Sequence, residues 1–147
     1  MNSYQYGLEY EKKFLQFLEE FIENEIIPTN TISPYFYCDF CIKDKSKKII
    51  LSIEIKTRNH LDRYDSIFLS SSKFIKFNEY KKTNNYNENA NFIIIWYDIQ
   101  NRKYFFTEIK EIISYHNSRS NTSNIPKSVL KYGNKDELQE YIKSILE

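Results

Sequence analysis

Along residues 49–58 apolar and polar positions alternate. Ile49, Leu51, Ile53 and Ile55 share one parity, and Ser52, Glu54 and Lys56 share the other, which is the period of a β-strand. So apolar a strand belongs near the middle of a sheet. Residues 92–97, Phe-Ile-Ile-Ile-Trp-Tyr, are almost unbroken in apolar character, as expected of a strand buried on both faces. Residues 8–25 follow the helical period instead. Tyr10, Phe14, Phe17 and Phe21 make one side of a broad stripe, and Leu8, Leu15, Leu18 and Ile22 make the other. Glu11 projects into the middle of that stripe, whereas Glu9, Lys13, Gln16 and Glu20 lie opposite.

The remaining elements follow from the same patterning and from breakers. Pro28 and the polar residues to Pro34 predict a loop, and residues 35–42 an aromatic-rich strand. The Lys-rich residues 43–48 predict a turn that pairs this strand with residues 49–58 as an antiparallel hairpin. Asp39 has the parity of Tyr35, Tyr37 and Cys41, so it is a charge set in an otherwise apolar strand. Residues 66–69 predict an optional short strand. The serines at 70–72 predict an N-cap for a helix that carries Phe74, Phe77 and Tyr80 and leaves Lys73, Lys76, Lys81 and Lys82 exposed. Residues 83–91 and 114–127, rich in Asn and Ser, predict loops. Residues 104–109 predict a hairpin partner for 92–97 across a turn at 100–102. A closing amphipathic helix begins near Asp136 with Leu138, Tyr141, Ile142, Ile145 and Leu146 on one face.

Composition narrows the function classes. With 147 residues the chain has the length of one domain, and no internal repeat divides it. A net charge of +1 excludes nucleic-acid binding by bulk electrostatics and leaves it to local clusters of Lys and Arg. The abundance of Ile, Lys, Asn, Tyr and Phe beside 2 Gly has the look of an AT-rich coding bias, which weakens any argument from Lys abundance alone. The N-terminus lacks the basic-then-apolar pattern of a secretory signal, no apolar run is long enough for a bilayer, and 2 cysteines do not build a disulfide scaffold. The expectation is a soluble intracellular protein with no membrane partner.

The charges that interrupt apolar elements are the candidate chemistry: Glu11 on the first helix, Asp39 on the first strand, and Glu54 and Lys56 at the end of the second. Hydrolysis of a phosphodiester needs hard oxygen ligands to hold a magnesium ion against a phosphate, and a cation to steady the attacking water. Carboxylates on adjacent strands with a Lys two positions along meet both needs. This order of elements, with Asp39 followed by Glu54-Ile55-Lys56 and then Thr57-Arg58, resembles the PD-(D/E)xK, or restriction-endonuclease-like, nuclease superfamily. The start of the first helix, Gly7-Leu8-Glu9-Tyr10-Glu11, is similar to the opening helix of Mrr-type restriction nucleases and Holliday-junction resolvases. Cys38 stands where the superfamily's name has Pro.

The resemblance implies an α/β fold with a restriction-endonuclease-like core, a central mixed β-sheet flanked by helices. It spans residues 7 to 97, and the expected organisation is a core over residues 7–109 followed by a C-terminal helical extension over 110–147. It implies Mg²⁺ or Mn²⁺ as cofactor, with Asp39, Glu54 and the carbonyl of Ile55 as metal ligands. Lys56 would hold the water and Glu11 would act through a water or a second ion. Arg58, Ser72, Lys73 and Lys76 would contact nucleic acid, with DNA the expected form. A homodimer is expected by analogy.

Other readings stand beside these. Glu11 also suits a carboxylate favoured by the helix dipole, and Glu54 with Lys56 a solvated charge pair. The Lys-rich segments 43–48 and 73–82 suit either phosphate contacts or a solvated face. A catalytically inactive nucleic-acid-binding or assembly subunit is the alternative function. Cys38 and Cys41 have CxxC spacing and, with His60 and His116, would make a zinc site; the aromatic-rich strand around them instead suits buried thiols acting as small hydrophobes.

Overall fold

A computed structural model describes residues 3–33 and 36–147, with side chains from Gln5 onward. The chain runs α1 (Ser3–Phe21), β1 (Ile26–Pro28), β2 (Phe40–Lys43), β3 (Ile49–Arg58), β4 (Ser66–Ser70) and α2 (Ser72–Lys81). It continues through β5 (Tyr86–Asp98), β6 (Lys103–Glu108), β7 (Thr122–Pro126), β8 (Lys131–Gly133) and α3 (Lys135–Leu146). Six strands form a mixed central sheet in the order β1-β2-β3-β5-β6-β8, and β4 and β7 pair as a separate small sheet. The fold is α/β, with helices on both faces of the mixed sheet. Among the described strands only the central pair, β3 with β5, is parallel; β2 joins β3 antiparallel through the hairpin that the Lys-rich turn predicts.

The alternation along β3 sorts the two layers. Leu51, Ile53 and Ile55 pack with Phe14, Phe17 and Leu18 of α1 and Leu138 and Ile142 of α3. Across the sheet, Phe92, Ile94 and Trp96 of β5 pack with Phe74 and Phe77 of α2 and with Ile67, Leu69 and Ile125 of the small sheet. β5 is therefore buried on both faces, as its unbroken apolar run requires. Each such large side chain stabilises the fold by ~1.5–3 kcal/mol. Ser52 and Glu54 face the α2 layer, where a polar group is costly unless partnered. Ser52 Oγ bonds the Tyr37 hydroxyl at 2.6 Å, which in turn bonds the Tyr86 hydroxyl at 2.7 Å.

Several boundaries differ from the sequence expectation. The first helix ends at Phe21, short of the expected residue 25, and Ile26–Pro28, between the expected helix and the expected loop, form β1, paired with β2. The strand expected over 35–42 is Phe40–Lys43; Pro34 and Tyr35 lie outside the described residues. Tyr37 and Cys38 are both buried, 1% and 2% exposed, so period-2 alternation fails there: the chain bends to seat the Tyr37 ring in the α2-side core. β5 begins at Tyr86, inside the expected loop 83–91. The Asn85 carbonyl accepts the Ile49 N–H, and Asn87 donates to Asp44, so these Asn residues bond the start of β5 to β3 and to the turn before it. The expected loop 114–127 contains β7, because Ile125 is fully buried and β4 supplies its backbone partners. The stretch from residue 110 is accordingly not only helical: β7 and β8 precede α3, and β8 completes one edge of the central sheet. Among the described residues no helix is long and apolar enough to cross a membrane.

Candidate active site

β3 outruns β2. The last paired residues are Phe40 with Ile53, and the Asp39 N–H donates to the Ile53 carbonyl at 2.9 Å. Beyond that point the edge of β3 would face no backbone partner, and a buried N–H must find one. The Asp39 carboxylate takes over: its Oδ2 accepts the Ile55 N–H at 2.8 Å. A side chain thus extends the ladder by one rung and fixes Asp39 against the Glu54-Ile55-Lys56 segment. The other flank of Asp39 is held by Thr29, whose N–H donates to the Asp39 carbonyl at 2.9 Å and whose hydroxyl donates to the Cys38 carbonyl.

Glu54 projects from β3 toward α2. Lys73, in the first turn of α2, donates to Glu54 Oε2 at 3.1 Å and to the Tyr37 carbonyl at 2.7 Å. Lys56 Nζ lies 3.7 Å from Glu54 Oε1. The Glu54 side chain is 10% exposed, Lys73 15% and Lys56 22%. From the opposite layer, Glu11 on α1 shares a cavity wall with Asp39, and its charge acts on the Asp39 carboxyl. Glu11, Asp39, Ile55, Glu54 and Lys56, which the sequence singles out, lie together on the walls of two adjoining cavities.

The electrostatics are those of a cluster with more acid than cation. Burial, then the neighbouring Asp39 charge, pushes the Glu54 carboxyl up to about 7, against the pull of Lys73 and Lys56. Burial, then the Glu11 charge, pushes Asp39 up to about 7, against the N–H of Ile55 and the charge of Lys73. Glu11 is raised as well, chiefly by burial. Lys56 is lowered by burial, with Glu54 opposing. Perturbation of this kind, by burial together with specific charge partners, is enriched at functional sites.

Two cavities open onto the cluster. One, of about 360 Å³, lies between the start of α1 and the end of β3, and its walls include Glu11, Glu54, Lys56 and Arg58. The other, of about 660 Å³, includes Glu11 and Asp39 in its walls. Among the described residues, no three His, Cys, Asp or Glu side chains form a set that could hold a metal ion as they stand.

The fold is similar to that of a nuclease from a fusselovirus. The two share 16% sequence identity, 91% of this chain and 85% of that chain are covered, and the TM-score is 0.50. At that identity the likeness is one of fold. No family model matches the chain, and no curated protein matches it.

The candidate nucleic-acid contacts divide. Arg58 is exposed at the rim of the smaller cavity, and Lys76 is exposed on α2. Lys73 is not on the exposed side of α2 but turned into the carboxylate cluster. The signal was available, since Lys73 stands one turn before Phe77 and therefore shares its buried face. Nor do the serines cap α2: Ser72 bonds the Ser70 hydroxyl at 2.9 Å, and Ser71 donates to the Asn117 carbonyl at 3.1 Å and meets the Ser123 hydroxyl at 3.0 Å. Cys38 and Cys41 are free, buried thiols with Sγ atoms 3.7 Å apart, in keeping with the small-hydrophobe reading. His60 occupies a left-handed turn (φ 57°) just after β3, and the His116 ring stacks on Phe74 at 4.7 Å.

Proposed function

We propose that this protein is a divalent-metal-dependent endonuclease of the PD-(D/E)xK type that hydrolyses phosphodiester bonds in nucleic acid, with DNA the proposed form. One observation carries the reading: Glu11, Asp39 and Glu54 crowd the end of β3 with only Lys56 and Lys73 to offset them, beside open cavities. The structural neighbour's own description as a nuclease, on a fold this chain shares, supports it.

The donor set fits Mg²⁺ or Mn²⁺. Mg²⁺ is held by one or two carboxylates, with waters and substrate phosphate completing its shell, so a site need not present three acidic side chains. Asp39 and Glu54 supply hard oxygens, and the Ile55 carbonyl is the proposed third protein oxygen. A bound ion supplies charge against the phosphate and acidity to a water. Lys56, beside Glu54 and on the cavity wall, holds the attacking water and offsets charge that builds on the phosphate in the transition state. Glu11, on the walls of both cavities, is placed to accept a proton through a water.

The test is cleavage of plasmid DNA and labelled DNA and RNA with Mg²⁺ or Mn²⁺, with chelator controls. Asp39→Asn, Glu54→Gln and Lys56→Ala are each expected to lower cleavage by ~10²-fold or more while the protein stays folded. Full activity in all three would overturn the assignment. A second reading, a binding or assembly subunit with no catalysis, is favoured by one feature: both Glu54 oxygens are already engaged by lysines. Nucleic-acid binding without cleavage under any divalent ion would select it.

A further inference from the structure

The cavities at the cluster are not separate recesses. Leu8 and Glu11 of α1 belong to the walls of both, so together they form one groove that crosses the carboxylates beneath the first half of that helix. Aromatic rings stand at each end. At the Arg58 end, Tyr10 stacks on Tyr97 with ring centres 4.4 Å apart and planes within 13°, and Tyr6 lies parallel to Tyr10 at 6.4 Å and 8°. Tyr10 is on the wall of the smaller cavity, Tyr6 and Tyr97 flank it, and all three are half-buried. At the other end, half-buried Phe36 lines the larger cavity and is backed by the rings of Tyr37 and Tyr80, at 4.9 and 5.0 Å.

Cations are sparse by comparison. Lys12, Lys56 and Arg58 are the basic residues on the groove walls, with Glu11, Glu54 and Asp39 among them. A duplex is held mainly by phosphate contacts, turns its base faces inward and would leave such recesses unfilled. An unpaired strand offers base faces as well as phosphates, and base–aromatic stacking contributes ~1–3 kcal/mol per base without any need for a dense positive field.

Resting on the nuclease reading above, we propose that the substrate is an unpaired polynucleotide strand. Its phosphodiester lies across Asp39 and Glu54, one flanking base stacks against the Tyr6–Tyr10–Tyr97 ladder, and the other enters the larger cavity against Phe36. The sugar is left to the test, because stacking and phosphate contacts are common to DNA and RNA.

The experiment measures binding of short dye-labelled DNA and RNA strands, and of a hairpin of equal charge, by fluorescence anisotropy of the full chain in chelator, where nothing is cut. Unpaired strands are expected to bind at least ~10-fold more tightly than the hairpin. Tyr6→Leu and Phe36→Leu are each expected to weaken unpaired-strand binding by ~5-fold to ~100-fold and to leave hairpin binding unchanged. Leu8→Glu, at an exposed ridge position, places a negative charge in the groove and is expected to do the same should either ring variant fail to fold. A hairpin bound as tightly as the strands, or unchanged strand affinity in the folded variants, overturns the inference. Parallel cleavage assays separate the two levels. Cutting confined to duplex overturns only this inference, whereas no cutting of any nucleic acid under any divalent ion overturns the nuclease reading beneath it.

Discussion

Replacing Glu54 by Gln is expected to make the metal-free protein more stable while abolishing its activity. The Glu54 carboxyl is pushed from the ordinary range up to about 7 by burial and by Asp39, a displacement that already includes the opposing pull of Lys73 and Lys56. In the folded protein the group therefore keeps its proton to higher pH than in the unfolded chain. Where the native state binds more protons, stability falls as pH rises, so the cost of Glu54 appears above the ordinary carboxyl range near pH ~4 and is complete above about pH 7. A displacement from 4.5 to about 7 corresponds to at most ~3.4 kcal/mol. Coupling to Asp39 spreads part of that over both groups, which leaves ~1–3 kcal/mol for Glu54 alone.

Gln has the same shape, and its amide oxygen still accepts from Lys73, so the substitution removes charge without opening a void. For a chain of this length the gain corresponds to a rise of roughly 3–10 °C in Tm. The assay is thermal and urea unfolding of the wild type and Glu54→Gln in chelator at acidic, neutral and alkaline pH. The two curves should coincide in acid and separate in favour of Gln as pH rises. A variant less stable than the wild type by ~1 kcal/mol or more above neutrality would refute the reasoning, because Glu54 would then be a structural ion pair whose loss strands two lysines.

Mn²⁺ or Mg²⁺ should stabilise the wild type above neutral pH, by an amount that grows with ion concentration and reaches ~2.7 kcal/mol at a hundredfold excess over Kd, and should leave the Tm of Glu54→Gln unmoved; titration with thermal unfolding reads both. Lys73→Met removes the donor to Glu54 and to the Tyr37 carbonyl, and should cost ~1–3 kcal/mol in urea unfolding as well as loosening the Asp39 segment. Asn134→Ala removes the reciprocal capping bonds with Glu137 at the start of α3 and should cost ~1 kcal/mol, with no effect on cleavage per folded molecule.

Much of this arrangement could be read from the chain because the informative residues break a local pattern. Glu11 interrupts a helical stripe, Asp39 and Glu54 interrupt apolar strands, and the parity of β3 separates the residues that face α1 from those that face α2. What could not be read depends on partners distant in sequence. β7 is a strand because β4 lies beside it and because Ser71 and Asn117 satisfy the buried hydroxyl of Ser123; its Ser- and Asn-rich sequence has no period of its own. The bend at residues 37–39 exists because the Tyr37 hydroxyl meets Ser52 and Tyr86, which only tertiary packing decides. Lys73 is legible in part: its spacing from Phe77 places it on the buried face of α2, but what makes its burial favourable is Glu54 across the layer.

The double duty of Asp39 bears on how loss of activity there must be read. Its Oδ2 is the acceptor for the Ile55 N–H at the point where β2 ends, so Asp39 would be needed for the sheet even if it never met a metal ion. Asp39→Ala removes that acceptor and leaves a backbone donor unpaired, at ~1–3 kcal/mol, in the segment that carries Glu54 and Lys56. Loss of cleavage in the alanine variant therefore does not separate a metal ligand from a structural rung. Asn keeps an oxygen for the Ile55 N–H and gives up only the charge. If Asp39→Asn keeps its stability and loses both cleavage and the Mn²⁺-dependent rise in Tm, the charge itself is what the site requires. If only the alanine variant is inactive, the residue serves the sheet, and Glu54 must be assigned without it.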